Sequence, residues 1–272
     1  MSFLLQDHFD ATERYSPAIE TTSATPSKGE RDGVHILNEK LEIPSCAGLI
    51  ERPRLIDKIE RSLSNFAATL VSGRAGTGKT SIAAAYARTR KRAAWFTVES
   101  SDSDWNVFAS YLTASVLRAA GSKKAVVDSQ PDVTNSSPAA MAMFLLNIVS
   151  EVEAADKDQR PLLVLDGIHH LFDADWFGRF FNILQPSLSE TADLLLLCRS
   201  KPPNPLWRLR SKQQLDVIDE KTLAFDRDET ILLLQQVGRS QAEAARLHAE
   251  TFGLVSKLLP FTKGGKPSQP RV

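Results

Sequence analysis

Residues 73–80 read GRAGTGKT and lie between an apolar run, FAATLVS (66–72), and an alanine-rich run, SIAAAYAR (81–88). The stretch fits the pattern G-x-x-x-x-G-K-[S/T] at each specified position, with a strand predicted before it and a helix after it. In that context, glycines let backbone N–H groups turn around a phosphate, and the helix N-terminus adds its positive dipole end. The sequence therefore predicts a phosphate-binding loop that joins a strand to a helix.

Each side chain of this loop has a predicted role. Lys79 places a point charge on the β- and γ-phosphates of a nucleotide. The Thr80 hydroxyl is a ligand for Mg²⁺. The predicted nucleotide contacts are Gly73, Arg74, Ala75, Gly76, Thr77, Gly78, Lys79, Thr80 and Ser81.

A carboxylate that holds the water shell of the metal is predicted at Asp166, which ends the apolar run PLLVLD (161–166). Many such enzymes place a further carboxylate directly afterwards to polarise the attacking water. Here that position is Gly167, which has no side chain. His169 orients water, senses the γ-phosphate or is a turn residue. Glu99 and Asp102, which follow an earlier strand, either supply the missing carboxylate or cap and solvate a loop.

Arginines follow the next apolar run, DLLLLCR (193–199). Arg199 ends this strand at the edge that faces the ligand crevice in such sheets, so it either senses the γ-phosphate or is a surface arginine. Arg208 and Arg210 either form a second sensor or coat a helix. Lys79, Asp166, His169 and Arg199 are thus the candidate catalytic residues.

The rest of the chain alternates between strand and helix signals. Apolar runs predict strands at 67–72, 93–99, 161–166, 193–199 and 214–219, and most are continuous, as in sheets that are covered on both faces. Helical patterns fill the gaps, and two capping boxes, at Asp226 and Ser240, begin two short helices after the fifth strand. The predicted fold is a doubly wound, mainly parallel five-stranded α/β sheet with a small C-terminal helical annex.

Composition narrows the function classes. Lys+Arg and Asp+Glu both number 33 in 272 residues, and this zero net charge argues against direct binding of nucleic acid or an anionic membrane. Two distant cysteines support neither a disulfide framework nor a structural zinc site. No membrane span or secretory signal is evident, so a cytoplasmic location is expected.

Four segments are predicted from these patterns. Residues 1–43 are rich in Ser, Thr, Glu and Pro and are expected to be flexible. Residues 44–222 are expected to form the nucleotide-binding domain and 223–260 the annex. Residues 261–272 are expected to be a disordered tail.

The ordered motifs together resemble the ATPase core of STAND proteins, the signal-transduction ATPases with numerous domains. The resemblance extends over about residues 41–256 and includes the segments VSGRAGTGKTSIAAAYA, LLVLDGIHHL, LLLLCRSKPP and LAFDRDETILLL. The branch that the chain is most similar to is the large LuxR-type regulators related to the bacterial maltose activator.

This resemblance implies an AAA-like core that binds ATP or ADP with Mg²⁺ and works as a slow molecular switch. It assigns phosphate binding to 73–80, Mg²⁺ binding to Asp166, a histidine usual after the metal acid to His169, and the first sensor to Arg199. It also implies that 49–52, ending at Arg52, packs near the adenine.

The sequence departs from the family in three places. Gly167 replaces the second acid, the turn at 253–255 lacks the usual proline, and the winged-helix, sensor and DNA-binding modules do not follow. We therefore expect a switch with slow ATP hydrolysis that acts through a separate protein partner. Nucleotide-dependent self-association is a further alternative. The alternatives are a scaffold that binds nucleotide without hydrolysis, a DNA-associated AAA-like helper and, ranked low, a small-molecule kinase.

Overall fold

A five-stranded, all-parallel sheet organises the chain, in the order β2-β3-β4-β1-β5. We describe residues 34–121, 137–155, 160–188 and 191–262 of a computed structural model. The strands are β1 (Ala68–Ser72), β2 (Ala93–Thr97), β3 (Leu162–Asp166), β4 (Asp193–Cys198) and β5 (Leu215–Ile218). Each lies within a predicted strand, so the α/β fold is confirmed and the sheet is wholly parallel.

The strands are apolar along their whole length because both faces of the sheet are covered. One face packs on α3 (Trp105–Ala119), α4 (Pro138–Ala155) and α5 (Phe177–Leu188), through a core that includes Phe96, Leu112 and Phe180. The other face packs on α1 (Pro53–Asn65) and α2 (Lys79–Ala87), through a core that includes Ile59 and Trp95. This is the arrangement that continuous apolar strands predict.

Helix starts follow local sequence signals. Pro53 lies in the first turn of α1, where its missing N–H is not needed. The Asp104 carboxylate accepts from two backbone N–H groups at the start of α3. Both predicted capping boxes are confirmed, with Asp226 and Glu229 at α8 (Arg227–Gln235) and Ser240 and Glu243 at α9 (Gln241–Thr251).

The structure adds helix boundaries and helices to those that the sequence pattern predicts. The helix after the phosphate loop, α2, ends at Ala87, and Arg90 beyond it pairs with Asp193 at 2.6 Å. The helix that carries Arg208 and Arg210 is α6 (Asn204–Ser211), which begins in the proline-rich PPNP stretch. The C-terminal region also contains α7 (Glu220–Leu223) and α10 (Val255–Thr262) besides the two predicted helices.

A separate small core holds the C-terminal helices together. Phe225, Ile231, Leu234, Ala244 and Leu258 bury one another there. This cluster has the character of the predicted annex, although its boundary at 223 stays a prediction. The predicted tail at 261–272 lies mostly outside the described residues.

The N-terminal edge of the described chain differs from the flexible segment predicted for 1–43. Residues 38–41 form a 3₁₀ turn, and Leu41 is buried in the core beside β2. Lys40 is also buried because it pairs with Asp102. Residues 1–33 of that segment lie outside the described residues. Among the helices that are described, none is long and apolar enough to cross a membrane.

Candidate functional site

The phosphate loop connects β1 to α2 at the carboxyl edge of the sheet. Gly76 and Gly78 have φ values of 74° and 84°, which side chains other than glycine rarely adopt. A Cβ on Gly78 would meet nothing within 4 Å, so the loop keeps an open concave side. Since α2 begins at Lys79, the free N–H groups of its first turn and its positive dipole end face that opening.

Lys79 is held inside the loop by the loop's own backbone. Its Nζ donates to the carbonyl oxygens of Gly73 and Arg74, both at 2.7 Å. Burial lowers the pKa of this ammonium, and the charge of Asp166 opposes that shift. The lysine is therefore positioned at the opening with weak neutral partners that a phosphate oxygen can replace.

Thr80 and Asp166 meet across the gap between α2 and β3. The Thr80 hydroxyl donates to Asp166 Oδ2 at 2.6 Å. Burial raises the pKa of Asp166, whereas this hydrogen bond and the charges of Lys79 and Arg199 lower it. Adjacent hydroxyl and carboxylate oxygens are hard ligands of the kind Mg²⁺ takes.

The donor set also fits Mg²⁺ in number. No group of three His, Cys, Asp or Glu side chains within the described ranges could hold a metal. Mg²⁺ characteristically uses one or two protein ligands and completes its shell with water and substrate phosphates. Thr80 and Asp166 would therefore hold the ion, which would neutralise phosphate charge when bound.

Gly167, directly after Asp166, has a conformation and surroundings that only glycine fits. Its φ is 98°, and a Cβ there would overlap the carbonyl oxygen of Val98, at the end of β2. The missing second acid is thus a consequence of close backbone packing as well as of sequence. A carboxylate cannot be added at this position without moving the neighbouring strand.

The histidine pair follows in a 3₁₀ turn at 168–171. The rings of His169 and His170 lie 4.1 Å apart, centroid to centroid. Burial, followed by the charges of His170, Arg199 and Lys79, lowers the pKa of His169 to about 4. His169 Nδ1 is buried without a hydrogen-bond partner in the described chain. The ring is therefore neutral at pH 7, and its Nδ1 is available for a hydrogen bond.

Arg199 lies exposed at the end of β4 and affects the pKa values of Lys79, Asp166 and His169. These four candidate catalytic residues therefore share one electrostatic environment. By contrast, Arg210 lies over the Trp207 ring, 4.8 Å from its centroid, which fits the helix-coating interpretation.

Comparison with known proteins agrees with the geometry of the phosphate loop. The profile of the AAA ATPase domain matches residues 49–185, a segment that contains the phosphate loop and Asp166. The chain belongs to the AAA ATPase domain family.

The relatives of this AAA domain include HTH-type transcriptional regulators named MalT. That of Yersinia enterocolitica is 29% identical over 216 residues, which is 76% of this chain and 23% of the regulator. That of Serratia proteamaculans is 34% identical over 183 residues, 65% of this chain and 19% of the regulator. The AAA domain thus spans less than a quarter of the length of these relatives.

Two solved structures share the fold. One is a STAND protein with a tetratricopeptide repeat sensor from Pyrococcus horikoshii, 17% identical with a TM-score of 0.54, covering 85% of this chain and 32% of that one. The other is a Walker-type ATPase of Pyrococcus abyssi, 13% identical with a TM-score of 0.55, covering 76% and 65%. At these identities, the two structures show that this chain shares their fold.

Arg52 of the AAA domain, predicted to pack near the adenine, is engaged by the C-terminal helices. Its Nη2 donates to Glu229 Oε2 at 2.8 Å and to the carbonyl oxygens of Leu223 and Ala224, both at 3.0 Å. Its guanidinium also lies over the Phe225 ring. The nucleotide role of Arg52 stays a prediction, and the structure adds that this residue ties the core to the annex helices.

Sequence reasoning missed the partners in two long-range pairs. The capping-box pattern that begins at Asp226 predicts only a capping role for Glu229, which also pairs with Arg52 and Arg54. Glu220 was not noticed, although it pairs with Arg74 of the phosphate loop at 2.7 Å. The capping box of α8 was the one signal that drew attention to Glu229.

Proposed function

We propose that this AAA domain binds Mg-ATP and Mg-ADP and acts as a slow ATP-dependent regulatory switch in the cytoplasm, through a separate protein partner. The observation that carries the proposal is the contact between Thr80 and Asp166, next to Lys79 in an open glycine loop. This arrangement offers a backbone cradle, a cation and two metal ligands at one edge of the sheet.

The proposal of a switch rests on how the helices after β5 are attached to the core. Arg74 of the phosphate loop pairs with Glu220, and Arg52 pairs with Glu229. A phosphate bound in the loop would compete for Arg74 and so bias the position of the C-terminal helices. A ligand shifts such an equilibrium only by its differential affinity for the two states, and these pairs supply one source of that difference.

A second candidate, a scaffold that binds nucleotide without hydrolysis, is favoured by Gly167. The position that usually carries the water-polarising acid has neither a side chain nor room for one. Both candidates require nucleotide binding, and they differ only in phosphate release. Self-association on nucleotide binding is compatible with either. Direct binding of nucleic acid is not expected of either, since the net charge is zero.

The test compares the wild-type chain with Lys79→Ala, with Lys212→Ala as a control that removes an exposed lysine at the end of α6. Titrations with labelled Mg-ATP, Mg-ADP and Mg-GTP measure affinity, and phosphate release measures turnover. Saturation at about 100 times Kd should stabilise the wild type by about 2.7 kcal/mol and raise its Tm. Lys79→Ala should lose this stabilisation, and Lys212→Ala should keep it.

The outcomes separate the candidates. If the wild type binds nucleotide but releases no more phosphate than Lys79→Ala, the scaffold candidate stands and the ATPase candidate fails. If neither ATP nor ADP raises the Tm, both candidates fail. Retention on DNA that weakens steeply with salt would instead support a DNA-associated helper.

A further inference from the structure

A basic surface extends from the end of β4 through α6. Residues 199–211 read RSKPPNPLWRLRS and contain four basic and no acidic side chains, although basic and acidic residues are equal in number over the whole chain. Arg199 belongs to the candidate nucleotide site, whose pKa values it affects. We define the α6 patch as the other three cations together with the exposed tryptophan between them: Lys201, Trp207, Arg208 and Arg210.

The cations of the α6 patch lack the carboxylate partners that arginines have elsewhere on the surface. Arg54 pairs with Asp226, for example, and Arg246 pairs with Glu250. In the part of the chain that the structure describes, no carboxylate forms an ion pair with any of the three cations of the patch. The α6 patch therefore keeps positive charge that no described carboxylate neutralises.

The α6 helix anchors the patch to the core. Leu206 and Leu209 are buried in the core on the α3 face of the sheet. Trp207 lies between them in sequence but is 38% exposed, and the Arg210 guanidinium lies 4.8 Å from the centroid of its ring. This stack holds an aromatic ring and a cation together on a helix whose other side is packed.

The composition of the α6 patch fits an acidic segment of a protein. Arginine presents a planar set of donors that matches a carboxylate, and tryptophan and arginine are enriched among the residues that dominate binding at protein interfaces. Single-stranded nucleic acid also binds to cations and aromatic rings, but it needs a ring face on which a base stacks. Arg210 covers one face of Trp207, and the zero net charge of the chain provides no long-range attraction for a polyanion. The patch therefore favours a protein segment.

We propose that the α6 patch is the surface on which the separate protein partner docks, through an acidic segment; this rests on the proposed function, which requires such a partner. Carboxylates of the segment bind the three cations of the patch, and an apolar side chain of the segment packs on the exposed part of Trp207. Only residues 200–203 separate Arg199 from α6. The docked partner is therefore close along the chain to a residue at the nucleotide edge of the sheet.

The test measures binding of a defined acidic probe to the whole chain by fluorescence anisotropy. The probe is a fluorescein-labelled peptide that alternates glutamate and leucine, and its matched control carries glutamine in place of each glutamate. The wild type should bind the glutamate peptide at physiological ionic strength and should bind it more weakly as salt is added. It should bind the glutamine peptide at least about 10-fold more weakly, since the carboxylates supply the charge.

Variants of the α6 patch locate the binding. Arg208→Gln, Arg210→Gln and Trp207→Ala should each weaken binding of the glutamate peptide about 10-fold, as the loss of an important interface residue does. Arg227→Gln removes an exposed arginine at the start of α8 and is the matched control, which should bind as wild type does. The patch variants should keep the wild-type rise in Tm with Mg-ADP, which shows that they are folded and bind nucleotide.

Several results would overturn the inference. If the wild type does not bind the glutamate peptide, or binds the glutamine peptide equally well, the patch is not an acidic docking surface. The same follows if Arg227→Gln weakens binding as much as Arg208→Gln. If labelled oligothymidine binds more tightly than the glutamate peptide and Arg208→Gln removes this binding, the patch is a nucleic-acid site. If the patch variants lose the response to Mg-ADP, their arginines act as a second sensor.

Failure of the proposed function is distinguishable from failure of this inference. A wild type that binds the glutamate peptide through the α6 patch, but whose Tm does not rise with ATP or ADP, would refute the nucleotide switch and leave the docking surface supported. A wild type that responds to nucleotide but binds neither peptide would leave the switch and remove the α6 patch as its docking surface.

Discussion

The phosphate loop and the turn after β3 lie at the same edge of one sheet, and both depend on glycines with positive φ. In the loop, a Cβ on Gly76 would meet only Leu259, at 4.0 Å, and one on Gly78 would meet nothing within that distance. In the turn, a Cβ on Gly167 would overlap the backbone of Val98. The loop glycines leave space for a ligand, whereas the turn glycine leaves space for the protein itself.

This difference bears on whether position 167 can carry an acid. A glycine in an open place can be replaced at the cost of backbone strain alone, but Gly167 is fixed by a neighbouring strand. Restoring an acid there would require the end of β2 to move.

The largest expected effect is that of Gly167→Asp on stability. Left-handed backbone costs about 1–2 kcal/mol for other residues, and overpacking adds about 1–3 kcal/mol. We therefore expect the free energy of unfolding to fall by about 3 kcal/mol in chemical denaturation, with no gain in turnover. Gly48→Asp, with φ 74° and open surroundings, is the control and should cost only the strain. Equal stability of the two variants, with faster hydrolysis in Gly167→Asp, would mean that the turn has room for an acid.

A smaller effect is expected at the two proposed metal ligands, Thr80 in the loop and Asp166 before the turn. Thr80→Val keeps the shape of the side chain but removes the hydroxyl that donates to Asp166. The variant loses one of the two protein oxygens proposed to hold the ion, so the affinity for Mg-ADP should fall by at least about 10-fold, the size of effect typical when a metal site loses a supporting group. In wild type, EDTA should lower the affinity for ADP to a similar level. Thr80→Ser should behave as wild type. If Thr80→Val keeps its response to EDTA, this hydroxyl does not hold the metal.

The sequence predicts the loop better than the turn for a physical reason. The residues from Gly73 to Thr80 are contiguous, so their pattern alone indicates their common role, and each apolar strand run is likewise local. Arg52 and Glu229 are 177 positions apart, and Arg74 and Glu220 are 146 apart. No local pattern encodes such pairs, because they form only when the topology brings β5 and the C-terminal helices next to the core.

The same limit applies to Gly167. Its sequence shows that an acid is absent, but the carbonyl oxygen of Val98 that excludes one comes from another strand. The α10 helix was also missed, since Pro260 within it is a residue that normally ends helices. Where contacts between distant segments determine the structure, the local sequence does not predict it.

The smallest effect is electrostatic and tests whether the turn detects what the loop binds. The pKa of His169 is lowered to about 4 from 6.5, chiefly by burial. Between these values the unfolded chain binds more protons than the folded chain. The contribution of His169 to stability is therefore full above pH 6.5 and is lost as the pH falls toward 4. His169→Asn should flatten the pH dependence of unfolding in this window.

Nucleotide should change this titration in a defined direction. The charges of Arg199 and Lys79 help to lower the pKa of His169, so bound phosphates, which offset these charges, should raise it. NMR titration of the ring C–H signals with and without Mg-ADP measures the shift, and His170 in the same spectra is the internal reference. An unliganded pKa near 6.5 would mean that the ring is not buried as described. A lowered value that does not respond to nucleotide would show that the turn after β3 is electrostatically separate from the phosphate loop, and His169 would then be a structural turn residue.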